Sequence, residues 1–141
     1  MTDGSFAEDY MNIGFIAHDT KKMLMQNLCI AYCDILREHT LYATQTTGRL
    51  ISEASGLSVH KCLAGPLGGE QQLCSLIESN TIDIVFYLRD PQEHTKLLPD
   101  TQSVITLCDM HNIPVATNLA TAELLIKALE RGDLDWRELY H

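Results

Sequence analysis

At 141 residues, the chain sets ten lysines and arginines against nineteen aspartates and glutamates, a formal net charge of -9. That balance argues against nucleic acid and anionic membrane as partners, since both reward positive charge. No apolar stretch approaches the roughly 20 residues that cross a bilayer. With 45% hydrophobic and 21% charged residues, the chain can bury one core of ordinary composition.

Met1–Asn12 carries acids and no basic leader. It is expected to be a ragged or disordered tail ahead of a single α/β domain over 13–141. The five cysteines, at positions 29, 33, 62, 74 and 108, read as reduced thiols of a cytoplasmic protein. Cys29 and Cys33 share a helix face, but no second Cys/His pair completes a metal site. Buried core cysteines are therefore the expectation.

Ile13–Ala17 is the first apolar run and predicts a strand that stops at His18-Asp19. Leu24, Leu28, Ala31, Tyr32 and Ile35 then recur at helical spacing, with Asp19 or Thr20 placed as N-cap. Leu41–Ala43 predicts a second strand, which meets Thr44-Gln45-Thr46-Thr47-Gly48 before a helix over Arg49–Ser55 that Gly56 stops. Val59–Ala64 predicts a third strand, followed by Gly65-Pro66-Leu67-Gly68-Gly69-Glu70-Gln71-Gln72 and a helix over Gln71–Ser79. Ile82–Leu88 predicts a fourth, ending in Arg89-Asp90-Pro91, with a long loop and then a helix over Thr101–Asn112. Pro114–Ala116 is a short fifth strand before Thr117-Asn118, and Thr121–Arg131 a last helix ended by Gly132. The C-terminal tail, Leu134–His141, which holds the only tryptophan, is expected to pack on this domain or on a neighbouring subunit. Such alternation predicts a doubly wound, mainly parallel five-stranded sheet flanked by helices.

In a parallel sheet every strand ends at one edge, where ligands bind, so the five polar clusters should converge there. The threonines beside a helix start suit an anion cradle, with a plain threonine-rich cap as the competing reading. Lys22 in a first helical turn opposes the dipole unless it faces an anion. Glu70 at a helix start is a candidate general base or an idle first-turn acid. His18 is a substrate contact or a satisfied structural histidine. With Asp19, Asp90 and Asp100 it would crowd carboxylates and an imidazole into one crevice, which separates acid from base roles.

At these residues the chain resembles the methylglyoxal synthases. The matching motifs are Ile16-Ala17-His18-Asp19 with Lys22, Leu41-Tyr42-Ala43-Thr44 with Thr46-Thr47-Gly48, and Gly65-Pro66-Leu67-Gly68-Gly69 with Gln71-Gln72. Arg89-Asp90-Pro91 and Ile113-Pro114-Val115-Ala116-Thr117-Asn118 with Thr121-Ala122 follow in order, so the likeness runs from about Ile13 to Gly132. The resemblance implies a homohexamer converting dihydroxyacetone phosphate to methylglyoxal and inorganic phosphate, without metal or cofactor. It implies that Glu70 removes a proton and that His18 contacts substrate, with Asp19, Asp90 and Asp100 as supporting acids. It places Lys22, Thr44, Gln45, Thr46, Thr47, Ala64 and Gly65 around the phosphate.

Departures fall inside these motifs. Glu70 stands where the family has aspartate, and Leu97 where it has a substrate-polarising histidine, His94 being the nearest one. Gln45 replaces a glycine and Ala64 a serine, so the implied synthase is a slow one. The alternative is a non-catalytic module that senses phosphate esters or other effectors, similar to the regulatory domain of carbamoyl-phosphate synthetase. A subunit kept only for assembly is a third reading.

Overall fold

The computed structural model describes residues 10–62, 68–92 and 101–140, without the side chains of 68–71, 101–103, 138 and 140. Asn12–Ala17 forms β1, starting one residue before the apolar run. Asn12 belongs to the strand because its backbone N–H donates to Asp83 Oδ2 (2.8 Å) and its side-chain amide to the Thr81 carbonyl (2.9 Å). A 3₁₀ turn, Asp19–Lys21, follows, then α1 (Lys22–Ala31) and the short α2 (Cys33–Leu36). Neither Asp19 nor Thr20, the expected caps, starts α1: its N-cap is Lys21, which makes no side-chain capping bond. His18 heads the 3₁₀ turn in extended backbone, and its side chain makes no capping bond.

β2 (Thr40–Thr44), α3 (Gln45–Ser55) and β3 (Val59–Cys62) come next. Then follow α4 (Gly68–Glu78), β4 (Ile84–Leu88), α5 (Thr101–Met110), β5 (Val115–Ala116) and α6 (Leu119–Arg131). A second 3₁₀ segment, Asp135–Tyr140, follows α6. Gly56 and Gly132 stop α3 and α6 in the left-handed conformation, each with φ 77°. That geometry is what a glycine C-terminus supplies without a Cβ penalty.

The sheet order is β3-β2-β1-β4-β5 and every pairing is parallel. The direction of winding reverses between β1 and β4, the switch point at which open α/β sheets bind ligands. Both strands there are buried on each face, as central strands of a covered sheet must be. β3 differs from its predicted apolar run: His60 and Lys61 are exposed, since β3 is an edge strand.

One core cluster joins α1, α3 and α6 to one face through Met25, Leu28, Ile51, Ala122 and Ile126. The other joins α4 and α5 to the opposite face through Leu73, Ile77, Val104 and Cys108. Gly14 admits the second layer closely: a Cβ on it would sit 3.3 Å from Leu73 Cδ1. All five cysteines are free thiols. Burial pushes Cys29 and Cys108 up to about 12, so both stay protonated and act as core residues. Among the described residues no helix is long and apolar enough to cross a membrane.

Candidate active site

Register fixes what meets at the carboxyl edge. Ala17 lies opposite Leu88, Phe15 opposite Ala43, Thr44 opposite Cys62 and Phe86 opposite Ala116. His18, the first turn of α3, Asp90 and Thr117-Asn118 therefore leave the same edge on strands about 4.8 Å apart. Four of the five predicted clusters are brought together by the sheet alone. The fifth follows β3, where Ala64 and Gly65 lie outside the described residues, as do Asp100, His94 and Leu97. Glu70 is described in its backbone, as the third residue of α4, whose first turn leaves this same edge. α4 thus starts three residues before the predicted Gln71.

At the switch point His18 is 6% exposed, with its ring edge-on to Tyr87. Its backbone N–H donates to the Leu88 carbonyl (3.0 Å), the last ladder bond between β1 and β4. Its Nδ1 accepts from the Asp90 backbone N–H at 2.9 Å. An acceptor at Nδ1 assigns the proton of the neutral ring to Nε2, so Nε2 is the donor. Asp90 is held in turn: Oδ2 accepts from the Thr20 hydroxyl (2.7 Å) and Oδ1 from the Gln92 N–H (2.9 Å). The Thr20 hydroxyl first, and the Gln92 N–H second, hold the Asp90 carboxyl below its usual range. It is ionised at neutral pH and acts as an acceptor that orients.

Lys22 is drawn to the same corner. Its Nζ donates to the Ala17 carbonyl (3.0 Å) and pairs with Asp19 Oδ1 (3.0 Å). Its side chain is 18% exposed against 86% for Asp19. The first-turn position that looked electrostatically misplaced is stabilised by these two oxygens. An ammonium has three donors, and two of them are met by these oxygens among the described residues, so a third can turn to an anion.

The threonine cluster is helical, which corrects the predicted start at Arg49. Thr44 is the N-cap of α3, in extended backbone, and makes no side-chain capping bond. Gln45, Thr46 and Thr47 form the first turn, and no acidic residue lies in it. The first-turn N–H groups that an N-cap side chain normally takes are left uncapped by Thr44. Thr47 is 1% exposed, and its Oγ1 has no hydrogen-bond partner among the described residues. Leaving such a hydroxyl unpaired costs on the order of 1–3 kcal/mol. Gly48 completes the turn; a Cβ there would lie 2.9 Å from Lys61 Cγ, so glycine lets α3 press against β3. The turn can receive an anion through N–H groups, hydroxyls and the helix dipole.

Sequence reasoning missed Thr20 as part of this corner. Its only signal was proximity to His18, since its partner Asp90 is 70 residues away. Among the described residues no group of three His, Cys, Asp or Glu side chains is placed to hold a metal ion.

Comparison with known proteins bears on family and fold. Residues 25–117 match the family model described as an MGS-like domain. The methylglyoxal synthase of Caldicellulosiruptor saccharolyticus is 64% identical over 129 residues, 92% of each chain. That of Alkaliphilus metalliredigens is 56% identical over 128 residues, covering 91% of this chain and 96% of its own. The crystal structure of methylglyoxal synthase from Elizabethkingia anophelis NUHP1 matches with a TM-score of 0.78 at 39% identity. That match covers 84% of this chain and 78% of the other. Alike in sequence over most of its length and alike in fold, the chain belongs to the methylglyoxal synthase family.

Proposed function

We propose that the carboxyl edge of this sheet converts dihydroxyacetone phosphate to methylglyoxal and inorganic phosphate, the work of a carbon–oxygen lyase. The observation that supports the proposal is the Thr47 hydroxyl, buried without a hydrogen-bond partner among the described residues in the first turn of α3, to which Thr44 gives no side-chain cap. A phosphate monoester supplies acceptors for the Thr47 hydroxyl and for the Lys22 ammonium. Thr44, Gln45 and Thr46 line the same turn, and Ala64 and Gly65 are assigned to the loop after β3.

Glu70 takes a proton from the hydroxymethyl carbon, and the released electron pair forms the enediolate double bond. His18 donates its Nε2 proton in a hydrogen bond to the developing oxyanion. The enediolate then collapses: its hydroxyl proton leaves, the aldehyde forms, and the carbon–oxygen bond to phosphate breaks. The departing phosphate takes the electron pair, and the enol left behind tautomerises to methylglyoxal. Asp90, held ionised, orients His18; Asp19 positions Lys22; Asp100 is assigned to proton traffic. No cofactor or metal is called on in this sequence of steps.

Thr47→Val tests the phosphate assignment. The variant should raise KM for dihydroxyacetone phosphate at least about tenfold, the worth of one hydrogen bond to a charged group. Its unliganded melting temperature should hold or rise, because the orphaned hydroxyl is gone. An unchanged KM, or no turnover by the unaltered protein, contradicts the proposal.

We read the protein as one α/β domain over 13–141 that assembles as a cytoplasmic homohexamer. Light scattering should return a mass near six times 15.8 kDa; a monomer mass contradicts that assembly.

A further inference from the structure

Beyond Leu88 the ladder between β1 and β4 is finished, and the ties of the following residues are few among the described residues. The Arg89 N–H reaches the Thr117 carbonyl only at 3.4 Å. Asp90 carries two ties toward the β1 side: its N–H to His18 Nδ1 and its carboxylate to the Thr20 hydroxyl. The bond to Gln92 is local, closing an Asx turn two residues on, and fixes nothing across the crevice. Thr20 lies in the 3₁₀ turn that directly follows His18, so its hydroxyl is fixed to the same backbone as the ring.

We propose that Thr20 is a positioning residue: by anchoring Asp90 it keeps the Asp90 N–H on His18 Nδ1 and so keeps the ring's proton on Nε2. This rests on the reading of His18 as the group that meets the substrate oxygen. Without the anchor, Asp90 can shift, Nδ1 loses its donor, and the Nδ1–H tautomer gains population beside the Nε2–H form. A ring protonated at Nδ1 presents a lone pair, not a donor, at Nε2. Thr20 touches neither phosphate nor the reacting carbon in this scheme, and it is exposed.

Thr20→Val and Thr20→Ser separate this from a merely structural role. The first readout is the ¹⁵N imidazole spectrum of His18 at pH 8 in the resting protein. The unaltered protein and Thr20→Ser should show a single Nε2–H tautomer, and Thr20→Val a mixture. The second readout is kinetic: kcat of Thr20→Val should fall about tenfold, the scale of a small displacement at a reacting group. KM should stay within about twofold, because the phosphate grip is untouched, and Thr20→Ser should restore kcat. Melting temperatures should agree within about 2 °C, as for other surface substitutions.

An unaltered His18 spectrum in Thr20→Val overturns the proposal, as does a loss of kcat that serine fails to rescue. If the unaltered protein does not turn over dihydroxyacetone phosphate, the site assignment falls. The spectra of the resting protein still decide the tether.

Discussion

Glu70→Gln should lose turnover of dihydroxyacetone phosphate by about 1,000-fold, within the range expected when a general base is removed. The amide keeps the shape of the side chain and cannot accept a proton. Glu70 is the third residue of α4, the helix that follows β3. A carboxylate has to be charged before it can take a proton. Glu70→Asp should keep measurable turnover, since a carboxylate remains and the family places aspartate there. Glu78→Gln, exposed at the far end of α4, should leave turnover unchanged. Stopped assays at saturating substrate check all three, and activity of Glu70→Gln within tenfold of the unaltered protein contradicts the assignment.

Arg137→Met should lower stability by about 3–5 kcal/mol, the cost of stranding a buried charge. Arg137 is 1% exposed, the largest fully buried side chain described. Its Nε donates to Asp83 Oδ1 (3.2 Å), and Nη1 to the carbonyls of His111 (3.2 Å) and Asn112 (2.7 Å). Nη2 donates to Asn80 Oδ1 (2.8 Å) and the Ile82 carbonyl (3.4 Å). Asn80 and Asn112 both hold positive φ, 60° and 56°, a conformation asparagine tolerates better than most residues. The guanidinium thus pins the two turns that precede β4 and β5, and Asp83 links them to β1 through the Asn12 N–H.

Without Arg137 the Asp83 carboxylate, 3% exposed in its side chain, is left in a dry site. Thermal melts should shift down by about 10 °C or more for a domain of this size. Arg137→Lys should recover only part of the loss, because an ammonium cannot spread five donors in a fork. These ties lie at the amino edge, opposite the site, so kcat well below the melting point should change less than about twofold. A melting shift under about 2 °C contradicts the account.

The strands and their order of use were legible because runs such as Ile13–Ala17 and Ile84–Leu88 stay apolar on both faces. Helix starts were not. Thr46, Thr47 and Gly48 have weak helix propensity and read as loop, yet tertiary packing against Lys61, Val59 and Ala43 winds them into α3. Gly68 and Gly69 hide the start of α4 in the same way.

The C-terminal segment packs on this domain through a residue the sequence did not single out: Arg137 is buried while its neighbour Trp136 is 43% exposed. The signal was Asp83, a lone carboxylate inside the apolar run Ile82–Leu88 that demanded a cation. Which cation, 54 residues on, only the fold could say. At the site, residue types pointed to an anion cradle beside an imidazole and carboxylates. The tie from Thr20 to Asp90 depends on β1 and β4 being neighbours, which no local pattern encodes.

In the proposed reaction, one edge of one sheet grips a phosphate monoester while a carboxylate pulls a proton from carbon. Following inorganic phosphate and methylglyoxal together, from purified protein and dihydroxyacetone phosphate, tests it most directly. The two products should appear in equal amounts and at equal rates. Phosphate released with dihydroxyacetone instead of methylglyoxal would show hydrolysis, and substrate-induced thermal stabilisation with neither product would show binding alone; either result contradicts elimination at this edge.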